Sequence, residues 1–367
     1  MRALVLEDYG TPPRVEVVEC GPPGPGEVLV RIVASGVCHS DLHVVTGTLP
    51  LPVPIVLGHE ASGVVVETGP GTRLQAGDHV VVTWIPACGA CFWCRNGQPE
   101  LCERANAGAV SGTRADGTSP LTWRGRPLFP FSWAGTLAEY AVVPEAAAIP
   151  VPAEMPWDAA ALLGCAVQTG VGAAWRAPIQ PGDTVLVVGL GGVGQNIVQG
   201  ARLKGAGRII AVDPVAAKRE LARTLGATDV VDPEAADPLA AVLDLTDDRG
   251  VDVAFEAVGR ADLLALAFNA ARRGGTAVAV GVPAPNEDIT LNAFAFPSQE
   301  KTLTGTWLGG SYPPRDIPRL VALWEAGHLQ LEPLVSRRYV LEEAPAAFAD
   351  LEAGRIVRGV VHCGDPR

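Results

Sequence analysis

The sequence has no uninterrupted apolar run approaching roughly 18 residues, so no segment reads as a membrane-spanning helix. It also lacks a basic excess: 28 Lys and Arg stand against 40 Asp and Glu, a formal net charge of −12. A nucleic-acid binder needs a basic face to displace phosphate counterions, and this balance excludes that class. Lysine is scarce, three residues against 25 arginines, a bias of base composition with no bearing on function. Cysteine is sparse as well. Eight in 367 residues is far below disulfide-scaffold density, so they read as metal ligands or buried thiols of a reducing compartment. Met1-Arg2-Ala3-Leu4 leads into a strand-like run and not into a signal peptide. There is no internal repeat, and no low-complexity segment beyond alanine enrichment. The expectation is a soluble, cytoplasmic protein with neither nucleic-acid nor membrane partner.

What is present is ample core material, with 48% apolar and 19% charged residues, in a chain longer than one ordinary domain. Up to about residue 150, short apolar alternations such as Glu27 to Val33, Ala61 to Glu67 and His79 to Val82 sit between Gly/Pro punctuation. That texture predicts a barrel or rolled sheet with long loops. From about Trp157, alanine-rich helical stretches alternate with strands apolar on both faces: Thr184 to Val188, Arg208 to Val212, Val251 to Phe255 and Ala277 to Val280. Such strands imply a parallel sheet covered by helices on both sides, a doubly wound α/β unit. From about Leu308 the character is mixed again, closing in a strand-like Arg358 to His362.

Val185 to Val188 runs into Gly189-Leu190-Gly191-Gly192-Val193-Gly194 and then a helical stretch. Glycines at 189, 191 and 194 allow a tight turn, close approach of backbone to a pyrophosphate, and close helix–strand packing. Asp213 ends the next strand, nineteen residues past Gly194. A carboxylate there accepts bonds from a ribose 2′-OH and repels a 2′-phosphate, which predicts NAD over NADP. Lys218 is a further candidate for the ribose.

Cys88, Cys91, Cys94 and Cys102 place four thiols in fifteen residues. Four thiolates on short loops form a closed tetrahedral zinc site; an iron centre uses similar spacing. A second set is dispersed: Cys38, His59 and Cys165. Two sulfurs and one imidazole leave a fourth zinc position open for water or substrate. Around Cys38 the run Cys38-His39-Ser40-Asp41-Leu42-His43 packs a thiol, two imidazoles, a hydroxyl and a carboxylate into six residues.

On these motifs, in this order, the chain resembles the medium-chain, zinc-containing alcohol dehydrogenase family from its first strand to about Val361. The resemblance implies a Rossmann doubly wound sheet with a β-rich, GroES-like catalytic domain. Residues 1–166 would form the catalytic domain, 167–307 the NAD-binding domain, and 308–367 the return to the catalytic domain. It implies catalytic zinc on Cys38, His59 and Cys165 and structural zinc on Cys88, Cys91, Cys94 and Cys102, hence two zinc ions per subunit. Ser40 and His43 match the family's proton relay. Asp41 would orient a ligand imidazole, and Glu60 would be an outer carboxylate or a transient ligand. His39 and Arg358 match contacts to the pyrophosphate, and Thr169 and Val193 match neighbours of the nicotinamide. Gly192 belongs to the same dinucleotide turn. By position Leu49, Trp84 and Phe131 would line the substrate channel, with Trp133 nearby.

The implied reaction is reversible hydride transfer between NAD and a hydrophobic primary alcohol or its aldehyde, benzylic or of medium chain length. The long segment between Cys102 and Tyr140 resembles the liver-type and glutathione-dependent formaldehyde branches, which implies a homodimer, with a homotetramer as alternative. The stretch Thr46 to Pro54 carries no acid, and Asn106 stands where the formaldehyde branch has an arginine, with Arg104 close by. This departure disfavours S-hydroxymethylglutathione as substrate. Asp213 likewise disfavours an NADPH-dependent aldehyde reductase, and the intact zinc set disfavours a zincless quinone reductase. Cys20, Cys363, His79, His328 and His362 lie outside these constellations and read as inert.

Overall fold

Six short apolar segments between residues 184 and 305 line up as one parallel sheet in the computed structural model, which describes residues 1–364. In spatial order they are Asp229–Val231, Arg208–Val212, Thr184–Val188, Val251–Glu256, Ala271–Ala279 and Thr302–Gly305. Numbered along the chain this is 3-2-1-4-5-6, and every neighbouring pair is parallel. That is the doubly wound dinucleotide-binding order, with its switch point beside the first strand. Thr184–Val188 is buried at all five positions, as a strand covered on both faces must be. The covering helices include Gly192–Leu203, Ala216–Leu225 and Ala261–Ala270. Phe255, wholly buried, lies one residue from the end of the fourth strand.

This sheet belongs to a unit made of Ala166–Ser311 and His328–Gln330. The resemblance implies boundaries after residues 166 and 307, and this compact unit begins at Ala166 and runs through Ser311. The reason is local. Leu308–Gly310 forms a tight turn whose Gly309 packs on the carbonyl of Thr169, and the Ser311 hydroxyl lies 3.0 Å from Gln168 Oε1. Arg202 and Gln199 similarly hold the carbonyls of His328 and Gln330.

The other unit comprises Met1–Cys165, Tyr312–Gly327 and the described chain from Leu331. The strand Glu27–Val37 is its axis. It pairs antiparallel with Ala61–Thr68, Tyr140–Pro144 and Arg358–His362, so chain segments far apart in sequence meet on one strand. Its early residues alternate half-buried and buried, the period-two pattern of a strand with one face on a core. That core contains Leu4, Ile32, Leu57, Leu137 and Phe348. A second sheet runs in the order Arg14–Val17, Arg2–Leu6, Ile55–Val56, Arg126–Pro130, Leu121–Trp123, Glu19–Cys20. The expected β-rich unit is therefore two sheets with long connections, and those connections carry the functional residues. No helix among the described residues is long and apolar enough to cross a membrane.

Burial predicts where the fold is sensitive. Phe255→Ala empties a fully buried aromatic site and should cost about 3–5 kcal/mol in urea denaturation. Val17→Ala, at a position 77% exposed, should stay within about 0.5 kcal/mol.

Candidate active site and metal centres

Asp41 lies in the helix His39–Val45 with its side chain wholly buried. Its carboxylate accepts the backbone N–H of Gly58 at 2.8 Å and that of Cys38 at 3.3 Å, and lies 3.3 Å from Nδ1 of His59. One carboxylate thus ties two chain segments together and takes one imidazole nitrogen, leaving Nε2 to face the sulfurs. Gly58 is required where it stands. Its φ is +95°, and a Cβ there would lie 2.4 Å from the backbone nitrogen of Leu137.

Cys165 arrives from a different element. The helix Trp157–Leu162 passes into a π-helical turn, Leu163–Val167, before Gln168–Arg176 resumes α geometry. The wider turn rotates Cys165 onto Cys38 and His59, and the ligand-type atoms of all three lie within 4.8 Å of one another. Single π turns inside α-helices are frequent at functional sites for this reason. The Cys38 thiol is held well below its ordinary range by the hydrogen bond from Cys165 and by His59, against the effect of burial. Cys165 moves the opposite way, raised by its hydrogen bond to Cys38 and by burial. Burial works against charge on His59, but Asp41 and Cys38 outweigh it and raise the imidazole to about 10.

This donor set fits a divalent zinc ion. Two sulfurs and a buried imidazole converge, and neither ring nitrogen of His59 has a well-formed hydrogen bond. A cation between them satisfies all three, and three protein donors leave a fourth position for a small molecule. Trp84 donates a side-chain hydrogen bond toward Cys165, which opposes the rise of that thiol's pKa. Trp84 and Phe131 flank the ligand imidazole, with ring centroids 6.5 and 5.1 Å from that of His59. Leu49 sits after the helix, its N–H on the carbonyl of His43, and packs against the adjoining core.

Ser40 and His43 are three residues apart on the same helix, hence neighbours on one face. Ser40 Oγ lies 3.7 Å from Cys38 Sγ, and His43 is half-buried. Burial holds the His43 imidazole below its ordinary 6.5, with the Cys38 charge acting the other way. His39 opens the helix and is exposed. Arg358, expected on a pyrophosphate, is buried and ion-paired with Glu60, itself wholly buried. The structure therefore sets both beside the Cys38 and His59 loops.

The four lobe cysteines also converge, their sulfurs within 4.8 Å of one another. Backbone N–H groups of Ala90 and Cys91 donate to Cys88 Sγ at 3.4 Å, and that of Cys88 donates to Cys102 Sγ at 3.3 Å. Such donors favour thiolate. Cys88 is lowered by them, and Cys91 falls to about 6 through N–H donors from Cys94 and Glu103. Cys94 goes the other way, pushed up to about 12 by burial and by its bond with Cys91, so the cluster divides its thiolate character unevenly; four sulfurs this close together fit a closed zinc site.

In the other unit the glycine turn has the geometry a dinucleotide needs. Gly189 has φ +91°, Gly191 caps the helix Gly192–Leu203, and a Cβ on Gly194 would stand 1.8 Å from the Gly189 carbonyl oxygen. Val193 lies in the helix's first turn, and Thr169 is buried in the helix Gln168–Arg176. The Asp213 carboxylate accepts N–H from Leu190 at 2.8 Å and from Val215 at 2.9 Å, so it is fixed beside the turn. Lys218 is half-buried one helical turn beyond.

Sequence reasoning missed the π turn at Cys165, the Trp84 contact to that sulfur, and the Arg358–Glu60 pair. Only Gly164 beside Cys165 hinted at close packing there. Among the residues read as inert, Cys363 is a buried thiol and His362 pairs with Asp158 at 2.7 Å.

Residues 24–153 match the alcohol dehydrogenase GroES-like domain, and residues 192–326 match the zinc-binding dehydrogenase domain. The chain is 39% identical over 366 residues to an S-(hydroxymethyl)glutathione dehydrogenase of Synechocystis sp., covering 98% of this chain and 99% of that protein. It is 40% identical over 370 residues to the NDMA-dependent alcohol dehydrogenase of Amycolatopsis methanolica, covering 99% of both. Among solved structures it is similar to benzyl alcohol dehydrogenase from Acinetobacter calcoaceticus, with a TM-score of 0.93, 33% identity and 99% of each chain covered.

Two metal analyses follow from the geometry. Asp41→Asn keeps the shape but weakens the grip on His59, and should lower zinc affinity at that site about 10- to 100-fold in chelator competition. Cys102→Ser should remove one zinc per subunit by elemental analysis and lower Tm by on the order of 5 °C.

Proposed function

The chain belongs to the medium-chain, zinc-containing alcohol dehydrogenase family, and on that premise we propose that it oxidises apolar primary alcohols, benzylic ones foremost, with NAD as hydride acceptor. When bound, zinc polarises the alcohol oxygen as a Lewis acid and NAD takes the hydride. The observation that carries the reading is the convergence of Cys38, His59 and Cys165, with aromatic rings on either side of the imidazole.

The remaining work belongs to the chain's own side chains. Asp41 keeps His59 in one tautomer, with Nε2 free to bind. Ser40 accepts the alcohol's proton and passes it toward His43, which releases it to solvent from its half-buried position. Glu60, neutralised by Arg358, supplies a buried carboxylate beside the site without leaving an uncompensated charge. Cys88, Cys91, Cys94 and Cys102 hold a zinc that is structural. In the nucleotide unit, the amides at the start of Gly192–Leu203 receive the pyrophosphate. Asp213 receives the adenosine ribose hydroxyls, with Lys218 beside it, while Thr169 and Val193 flank the nicotinamide.

A second reading is supported by the Synechocystis relative, whose name specifies a glutathione adduct. Two observations weigh against it here. The stretch Thr46 to Pro54 has no carboxylate, and the Asn106 side chain is engaged with the carbonyls of Glu100 and Cys102. The ammonium group of a glutathione adduct thus finds no acid in that stretch, and Asn106 offers no charge to its carboxylates. Leu49, Trp84 and Phe131 favour an apolar substrate.

The proposal extends to a cytoplasmic homodimer. The strand Thr302–Gly305 is the last in its sheet, mostly exposed, with Phe294 74% exposed on the same unit. An open strand edge beside exposed aromatics is a pairing surface. Light scattering should give twice the 38.1 kDa of one chain; a monomer, or four times that mass, would contradict it.

Two kinetic outcomes are expected. Asp213→Ser removes the charge that repels a 2′-phosphate and should shift the NAD-to-NADP ratio of kcat/KM toward NADP by about 100-fold. For the relay, His43 must be neutral to accept a proton. Because burial lowers its pKa, it stays competent to below pH 6.5, and the acid limb of kcat should fall below that value. His43→Gln should lower kcat by on the order of tenfold and abolish that limb.

A further inference from the structure

The corner Phe131–Trp133 is built in an unusual way. It is a tight turn in which two successive non-glycine residues, Ser132 and Trp133, take positive φ, +50° and +69°. Such backbone persists only where the surroundings over-determine it. Here the surroundings are explicit on both sides. The Trp133 ring lies directly over Gly108 of the helix Glu103–Ser111, where a Cβ would stand 1.6 Å from the ring, and its Nε1 donates to the Ala105 carbonyl at 2.7 Å. Downstream, the Thr136 N–H bonds the Gly58 carbonyl at 3.0 Å, one residue before His59. Upstream, the Phe129 N–H bonds the Pro54 carbonyl at 3.0 Å, so Phe131 sits between anchored segments, and its ring meets the His59 imidazole edge-on at 5.1 Å.

We propose that Trp133, seated on Gly108, is a positioning residue that holds Phe131 against His59 and thereby sets the preference for bulky apolar alcohols over small ones. Sequence position put Trp133 merely near the substrate channel. The structure gives it a place outside that wall, acting through Phe131. The helix that receives it begins directly after Cys102, so the four-cysteine lobe and the substrate wall share one support. A small alcohol has little surface to place against Phe131, whereas an aromatic one depends on where that ring stands. The inference rests on the alcohol reading above for its selectivity, but not for its geometry.

The test compares wild type with Trp133→Ala, Trp133→Phe and Gly108→Ala. Two quantities are read: the ratio of kcat/KM for benzyl alcohol to that for ethanol, and hydrogen exchange of the amides from 128 to 137. Trp133→Ala should lower the ratio about tenfold and expose the amides of Ala134 and Gly135, which now bond the Phe131 carbonyl. Gly108→Ala should reproduce both changes by expelling the ring. Trp133→Phe, which still fills the notch, should recover most of the ratio. Unchanged exchange at Ala134 and Gly135 in Trp133→Ala overturns the proposal. So does an equal fall for both alcohols that Trp133→Phe does not relieve, since that is what a purely structural residue would do. If wild type turns over neither alcohol, the alcohol reading fails. The exchange data then decide the positioning alone: lost protection upholds it, retained protection overturns it.

Discussion

A single buried carboxylate organises the metal end of this enzyme. Asp41 is wholly buried, and a charge in that position is tolerable only if donors surround it. It has them: two peptide N–H groups, from Cys38 and Gly58, and the imidazole of His59. The constraint runs in both directions. The donors stabilise the carboxylate, and the carboxylate fixes the relative position of the loops that supply Cys38 and His59. Those loops flank Glu27–Val37, the strand on which distant parts of the chain meet, so the sheet delivers them close enough for one side chain to finish the alignment.

The nucleotide unit uses the same device. Asp213 accepts peptide N–H groups from Leu190 and Val215 and so fixes the glycine turn to the end of the neighbouring strand. Glu256, at the end of the fourth strand, accepts the N–H groups of Val258 and Gly259 at 2.8 and 2.7 Å, and burial raises its pKa. Each unit thus trades buried charge for loop rigidity at the strand ends, where parallel sheets bind ligands. The four-cysteine lobe achieves the same end with sulfur, its peptide N–H groups turned toward Cys88 and Cys102.

Much of this was legible before any coordinates. The parallel sheet was readable because strands buried on both faces are continuous apolar runs, and Gly189 to Gly194 stood in the right place after one of them. The four-cysteine set was legible from spacing alone. Cys165 was named through the family resemblance, since nothing in its immediate neighbours marks it as a ligand; the π turn that carries it depends on tertiary packing. Trp84 and Trp133 were read as wall or core residues, since indole size is visible in a sequence but the target of its N–H is not. The partner of Arg358 was not legible either, because its burial against Glu60 arises from pairing of Arg358–His362 with Glu27–Val37, a contact across more than three hundred residues.

The most direct test of the account is NADH formation from benzyl alcohol by wild type and by Cys38→Ser, with zinc counted in the same preparations. The account predicts turnover by wild type holding two zinc ions per subunit. It predicts none by the variant, which keeps the zinc bound by Cys88, Cys91, Cys94 and Cys102 and the ability to bind NAD. Undiminished turnover by a Cys38→Ser enzyme that retains only that one zinc would contradict it.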